Sequence, residues 1–124
     1  MKCPKCSGAM SPIRYQDIEV DRCAQCGGLW FDMLEAEELK NLSGSEAIDT
    51  GDVGTGKTQN KIGTIRCPKD AATMIRMVVN GQPHIGYEGC PVCHGIYFDA
   101  GEFKDFKAET FIDTVKAIFR SERK

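Results

Sequence analysis

Met10, Ile13, Tyr15, Ile18 and Val20 are spaced by polar residues at the period of a half-buried strand, and Gln16-Asp17 in their midst reads as a turn. Two short strands are predicted there. Gly27-Gly28 then allows a tight turn, and Leu29-Trp30-Phe31 predicts a third short strand. Asp32 and Glu35 stand at the N-cap and N3 positions of a capping box, and a helix follows through Glu38, Leu39 and Leu42. The pattern returns in the second half. Met77-Val78-Val79 precedes Asn80-Gly81, a hairpin signal, then comes His84-Ile85-Gly86-Tyr87, and Tyr97-Phe98 stands where Trp30-Phe31 stood. Residues 43–64 are rich in glycine, serine and threonine and read as a flexible linker. Beyond Phe103 and Phe106, the residues Phe111, Ile112, Val115, Ile118 and Phe119 fall at helical spacing and predict a C-terminal amphipathic helix over 108–124.

Two copies of one small unit, at 1–42 and 65–107, are therefore expected. A unit of about 40 residues buries too little apolar surface to offset its chain entropy and needs a staple. The cysteines supply one. All seven fall in four turns: Cys3-Pro4-Lys5-Cys6 and Cys23-Ala24-Gln25-Cys26 in the first unit, Cys67-Pro68-Lys69-Asp70 and Cys90-Pro91-Val92-Cys93 in the second. Thiolates two residues apart sit on one turn and face one ion, and two such turns supply the four sulfurs that Zn²⁺ accepts. Sixteen residues separate Cys6 from Cys23, inside the window for a four-cysteine zinc site. An odd cysteine count argues against a disulfide framework. Iron held by four cysteines uses similar spacing and stays open at this point. The fold class expected is small, metal-stabilised α+β, with Cys3, Cys6, Cys23 and Cys26 as the first metal site.

In the second unit Asp70 stands where Cys6 stood, beside Cys67, Cys90 and Cys93. Zinc accepts carboxylate oxygen, so Asp70 ranks first as the fourth ligand, ahead of His84, His94 and an open position. An oxygen ligand makes this second site the weaker of the two. No glutamate or histidine is placed as a general base, and Asp32 with Glu35 is a helix cap before it is a catalytic pair, so no catalytic residue is assigned. Gly51-Asp52-Val53-Gly54-Thr55-Gly56-Lys57-Thr58 satisfies a phosphate-binding loop pattern, but no buried strand precedes it, and it reads as a chance match.

The formal net charge is −2. Residues 1–43 carry five basic and seven acidic side chains and residues 65–124 nine and eight, so neither half concentrates the positive charge that phosphate binding requires. The only local basic pairs are Lys2 with Lys5 and Arg66 with Lys69. No apolar run is long enough to span a bilayer. Reduced cysteines and no targeting segment make the cytoplasm the expected location.

The run Cys-Pro-x-Cys, a methionine four residues on, a hairpin, then Cys-x-x-Cys-Gly-Gly-x-Trp-x-Asp-x-x-Glu resembles the TFIIB-type zinc-ribbon family, the transcription factor zinc-finger. The resemblance covers 1–42, and 66–107 with the change to Asp70. It implies two tandem zinc ribbons, each a small antiparallel sheet and two cysteine turns around zinc, with two zinc ions in all. It carries metal ligation onto Cys3, Cys6, Cys23 and Cys26, and onto Cys67, Cys90 and Cys93 with Asp70 in register. The function expected is a non-enzymatic zinc-binding adaptor or regulator that docks onto a protein, with a link to transcription. One alternative is direct nucleic-acid binding, with Trp30, Phe31, Tyr97 and Phe98 stacking on bases; those aromatics pack in a core more often. Another is a redox or metal-responsive switch through the second site. The apolar stripe of the tail offers a face for self-association or a partner.

Overall fold

The alternating segments form strands where the spacing places them. Strand β1 (Met10–Tyr15) turns at Gln16, whose φ of 55° closes a tight hairpin, and returns as β2 (Ile18–Cys23), paired from Met10↔Cys23 to Tyr15↔Ile18. Strand β3 (Leu29–Phe31) follows, then helix α1 (Glu35–Lys40). The computed structural model describes residues 1–79 and 82–107, without the side chains of 79 and 82–85. Both the Asn80-Gly81 turn and the expected C-terminal helix over 108–124 lie outside the described residues.

The second half repeats the order. Strands β4 (Ile75–Val79) and β5 (Gln82–Gly89) pair antiparallel, β6 (Ile96–Phe98) pairs with β5, and residues 102–107 are helical. The two halves share one six-stranded sheet in the order β1-β2-β3-β6-β5-β4. Its centre is the antiparallel pair β3–β6, with Leu29↔Phe98, Trp30↔Tyr97 and Phe31↔Ile96. Equivalent strands paired in this way have a local two-fold midway between Trp30 and Tyr97.

Side chains alternate across a strand, so β3 and β6 feed two cores. Trp30 and Tyr97 enter one core with Cys3, Cys23, Cys26, Cys67, Cys90, Met10, Met74 and Ile65. Leu29, Phe31 and Phe98 enter the other with Val20, Leu39, Ile48 and Phe103. Phe31 meets Phe98 edge-on with ring centroids 5.7 Å apart, and lies 5.1 Å from Phe103.

Two expectations change. First, the capping box is half formed. Glu35 Oε1 accepts the Asp32 N–H at 2.8 Å, but Leu34, at φ 72°, delays the helix to Glu35. The Asp32 carboxylate instead accepts the Trp30 Nε1–H at 3.1 Å and pairs with Lys69. Second, residues 43–64, which composition reads as a flexible linker, carry local structure. They hold a 3₁₀ turn (Ser45–Ile48) and helix α2 (Val53–Gln59). Buried Asp49 accepts the Gly101 N–H at 2.9 Å and the Lys104 N–H at 3.1 Å, capping the helical stretch 102–107 from outside. Gly56 is seated so closely that a Cβ there would lie 2.0 Å from Ala100 O. Glycine serves close approach here, not freedom.

Candidate metal centres

Each cysteine turn is held by its own backbone. In the first, Cys3 N–H donates to Gly8 O at 2.8 Å and Ser7 N–H to Cys3 O at 3.0 Å, with Ser7 at φ 63°. In the second, Cys23 N–H reaches Gly28 O at 2.8 Å and Gly27 N–H reaches Cys23 O at 3.1 Å, with Gly27 at φ 76°. The closures bring the sulfurs of Cys3, Cys6, Cys23 and Cys26 within 4.8 Å of one another. Cys3 and Cys26 sulfurs are 3.7 Å apart, and those of Cys6 and Cys23 3.3 Å. A tetrahedron of thiolates at the usual zinc–sulfur length has edges of about 3.8 Å. The set is sized for that ion.

The second half builds the same turns. Ala71 (φ 64°) and His94 (φ 63°) hold the left-handed positions of Ser7 and Gly27. Cys67, Asp70, Cys90 and Cys93 offer ligand atoms within 4.8 Å of one another. Cys67 and Cys93 sulfurs are 3.7 Å apart, and the Asp70 oxygens lie 3.5 and 3.4 Å from Cys90 Sγ. The Ala72 N–H, bonded to Asp70 Oδ1 at 2.9 Å, holds this exposed carboxyl below its usual range, so it stands ready as an anionic donor. His94 is exposed and outside the group; the side chain of His84 is not among those described. Backbone N–H groups back the sulfurs: Lys69 N–H to Cys67 Sγ at 3.4 Å, and Val92 and Cys93 N–H to Cys90 Sγ at 3.4 and 3.5 Å. Burial nevertheless pushes the Cys67 thiol up to about 12, so a metal entering this site displaces a firmly held proton.

Side chains from one half reach the other half's turns. The Tyr97 hydroxyl, from β6, lies 3.2 Å from Cys3 Sγ and 3.3 Å from Cys26 Sγ. A hydrogen bond from Cys26 draws the Cys3 pKa down to about 4 against the pull of burial, with Tyr97 adding to the effect, while the same bond pushes Cys26 up. The Lys5 ammonium, its side chain 0% exposed, pairs with Asp99 at 2.7 Å and Glu88 at 2.8 Å. Lys69 mirrors it by pairing with Asp32. Spacing alone finds all eight ligand candidates but misses Tyr97, Lys5 and Lys69 as links between halves. A signal was present: each copy keeps a lysine in its first turn and an aspartate after its central strand.

The pattern Gly51 to Thr58 takes a geometry unlike a phosphate loop. Val53 to Thr58 are already helical, and the Asp52 carboxylate accepts the Thr55 N–H at 2.8 Å, placing an anion where a phosphate would go. Two sets of four protein donors fit two zinc ions. No helix among the described residues is long and apolar enough to cross a membrane. No curated protein and no solved structure matches the chain. Over residues 2–42, the stretch that carries the four-sulfur site, the chain matches the transcription factor zinc-finger family, the TFIIB-type zinc ribbon.

Proposed function

We propose that this chain is a non-enzymatic docking module, linked to transcription, in which two zinc ribbons present one fused surface to a protein partner. Residues 1–42 form the first ribbon around Cys3, Cys6, Cys23 and Cys26, and 65–107 the second around Cys67, Asp70, Cys90 and Cys93. Four protein donors close each site in the manner of structural zinc, which supports a role without catalysis.

One observation favours protein over nucleic acid: one lysine of each local basic pair is already held in an ion pair, and all four central aromatics are buried. Of the lysines in the first turns, Lys5 is buried against Asp99 and Glu88, and Lys69 is paired with Asp32. Trp30, Phe31, Tyr97 and Phe98 are all buried and have no open face for a base. The apolar side chains left outside include Ile75, Met77 and Val78 on β4, the last strand of the sheet. An exposed apolar edge strand is a surface for another chain.

The test is a purified complex. A partner captured by the zinc-loaded protein is reconstituted from purified components and challenged with Met77→Asp and Val78→Asp. Loss of binding with both zinc ions retained supports the reading. Binding to mixed-sequence DNA or RNA that persists at physiological salt overturns it. Exposed Asp70 favours a secondary role in metal response: the second site is then expected to exchange zinc faster than the first.

A further inference from the structure

The central aromatics occupy equivalent places and behave differently. Trp30 gives its Nε1–H to Asp32 Oδ1 at 3.1 Å, within its own half, and lays its ring edge on Gly95. Tyr97 crosses the two-fold and points its hydroxyl between two sulfurs of the other half. The room for it is made by Gly28, where a Cβ would lie 1.8 Å from the hydroxyl oxygen. Tyr97 is 0% exposed, so its O–H needs a partner inside the protein, and Cys3 and Cys26 are the partners it meets among the described residues. A thiolate is a better acceptor than a thiol because its charge strengthens the bond. The contact is therefore strongest when both sulfurs are deprotonated, which is the state a metal requires.

We propose that Tyr97 is a positioning residue of the first metal site, an outer-sphere donor supplied by the second half, so that metal loading at Cys3, Cys6, Cys23 and Cys26 and the docking of the two halves reinforce each other. Four thiolates around a divalent ion leave the site with a net charge of −2, and an O–H directed at two of the sulfurs offsets part of it. Groups that hydrogen-bond to metal ligands orient them and tune their basicity. The linkage is reciprocal: whatever Tyr97 adds to metal affinity, the metal adds to the grip between halves. The second site receives no such donor from Trp30, which separates the two sites further than the exchange of cysteine for Asp70 alone. This inference rests on the reading that the four cysteines hold zinc.

The experiment uses the full chain with Tyr97→Phe, which keeps the ring and removes only the hydroxyl. Zinc affinity at each site is measured by chelator competition, and Co²⁺ substitution reports the sulfur-to-metal charge-transfer band. First-site affinity is expected to fall roughly tenfold or more, the range typical of lost outer-sphere donors. The second-site affinity is expected to hold, and the charge-transfer band of the four-sulfur site to shift. An unchanged first-site affinity and band with two bound equivalents overturns the proposal and leaves the zinc reading intact. Equal weakening of both sites also overturns it, because that marks general destabilisation. If Cys3→Ser leaves the metal stoichiometry unchanged, the underlying zinc reading fails instead.

Discussion

At Gly28 a single methyl group decides whether the two halves can meet. The space its missing side chain leaves is filled by the Tyr97 hydroxyl, and the mirror space at Gly95 by the Trp30 ring, 2.2 Å from where a Cβ would stand. Trp30 and Tyr97 are both fully buried, so neither ring can swing away without giving up its packing. Gly28→Ala is therefore expected to destabilise the zinc-loaded protein by about 1–3 kcal/mol, the usual cost of overpacking, read as a lower midpoint in denaturant. Asp99 gives a second residue-scale prediction. Burial raises its pKa to about 6 even with Lys5 at 2.7 Å. The folded value lies above the unfolded one of about 3.9, so the folded state holds this proton more tightly. The contribution of Asp99 to stability is then greatest below pH ~4 and is lost as pH rises through ~6. Zinc–thiolate bonding changes over the same range, so wild type and Asp99→Asn are compared at matched zinc occupancy. Between pH 5 and 7 the stability of the wild type relative to Asp99→Asn should fall by on the order of 1 kcal/mol. A flat difference would show that Lys5 keeps Asp99 ionised throughout.

Helix α2 shows what composition conceals at the scale of an element. Its sequence, Val-Gly-Thr-Gly-Lys-Thr-Gln, reads as tether because glycine disfavours helix by about 1 kcal/mol relative to alanine. Yet Gly56 packs against the Ala100 carbonyl, and Gly51 against Gly27 and Ala100. On helix propensity alone, Gly56→Ala would stabilise. A Cβ placed 2.0 Å from a backbone oxygen outweighs that gain. The variant is expected to lower stability and to speed amide exchange in α2. Gly63→Ala, with nothing within 4 Å of its new methyl, should change stability by no more than ~0.5 kcal/mol. Equal effects at the two glycines would mean that α2 is not docked. The contrast also explains how far the fold could be read in advance. The cysteine turns and the hairpin at Gln16 are local, fixed by residues a few positions apart, and the spacing revealed them. The eight ligand candidates were legible for the same reason. The seat of α2 on Ala100 and the Asp49 cap on residues 102–107 join segments about 50 residues apart in sequence, and no periodicity announces them.

For the molecule as a whole, the expectation of two small units stapled by their ions meets a shared sheet. The core around the metal ligands draws Trp30 from one half and Tyr97 from the other. The opposite core joins Leu29 and Phe31 to Phe98 and Phe103 and contains no ligand. Stripping the metal removes the cross-links that hold Cys3, Cys26, Cys67 and Cys90 around the first core, and binding free energy lost there is folding free energy lost. The second core cannot then hold one half alone, because each half supplies only part of it. Leu29, Phe31 and Phe98 reach that core from the same two strands whose other face has just lost its packing. Independent lobes would melt in two steps, each with its own ion. A continuous β3–β6 pair predicts one cooperative step. On chelator titration of the full chain, the tertiary signal of Trp30 and the amide protection of β2 and β5 should be lost together, at the chelator concentration that empties the four-cysteine site. Removal of the second-site ion alone should loosen the turns at Cys67 and Cys90 while β3–β6 stays protected, because Lys5 with Asp99, and Tyr97 with the first site's sulfurs, still tie β6 to the first half. Loss of β5 protection while Trp30 keeps its native signal would show instead that the second half folds on its own ion, and that the shared sheet does not couple the two.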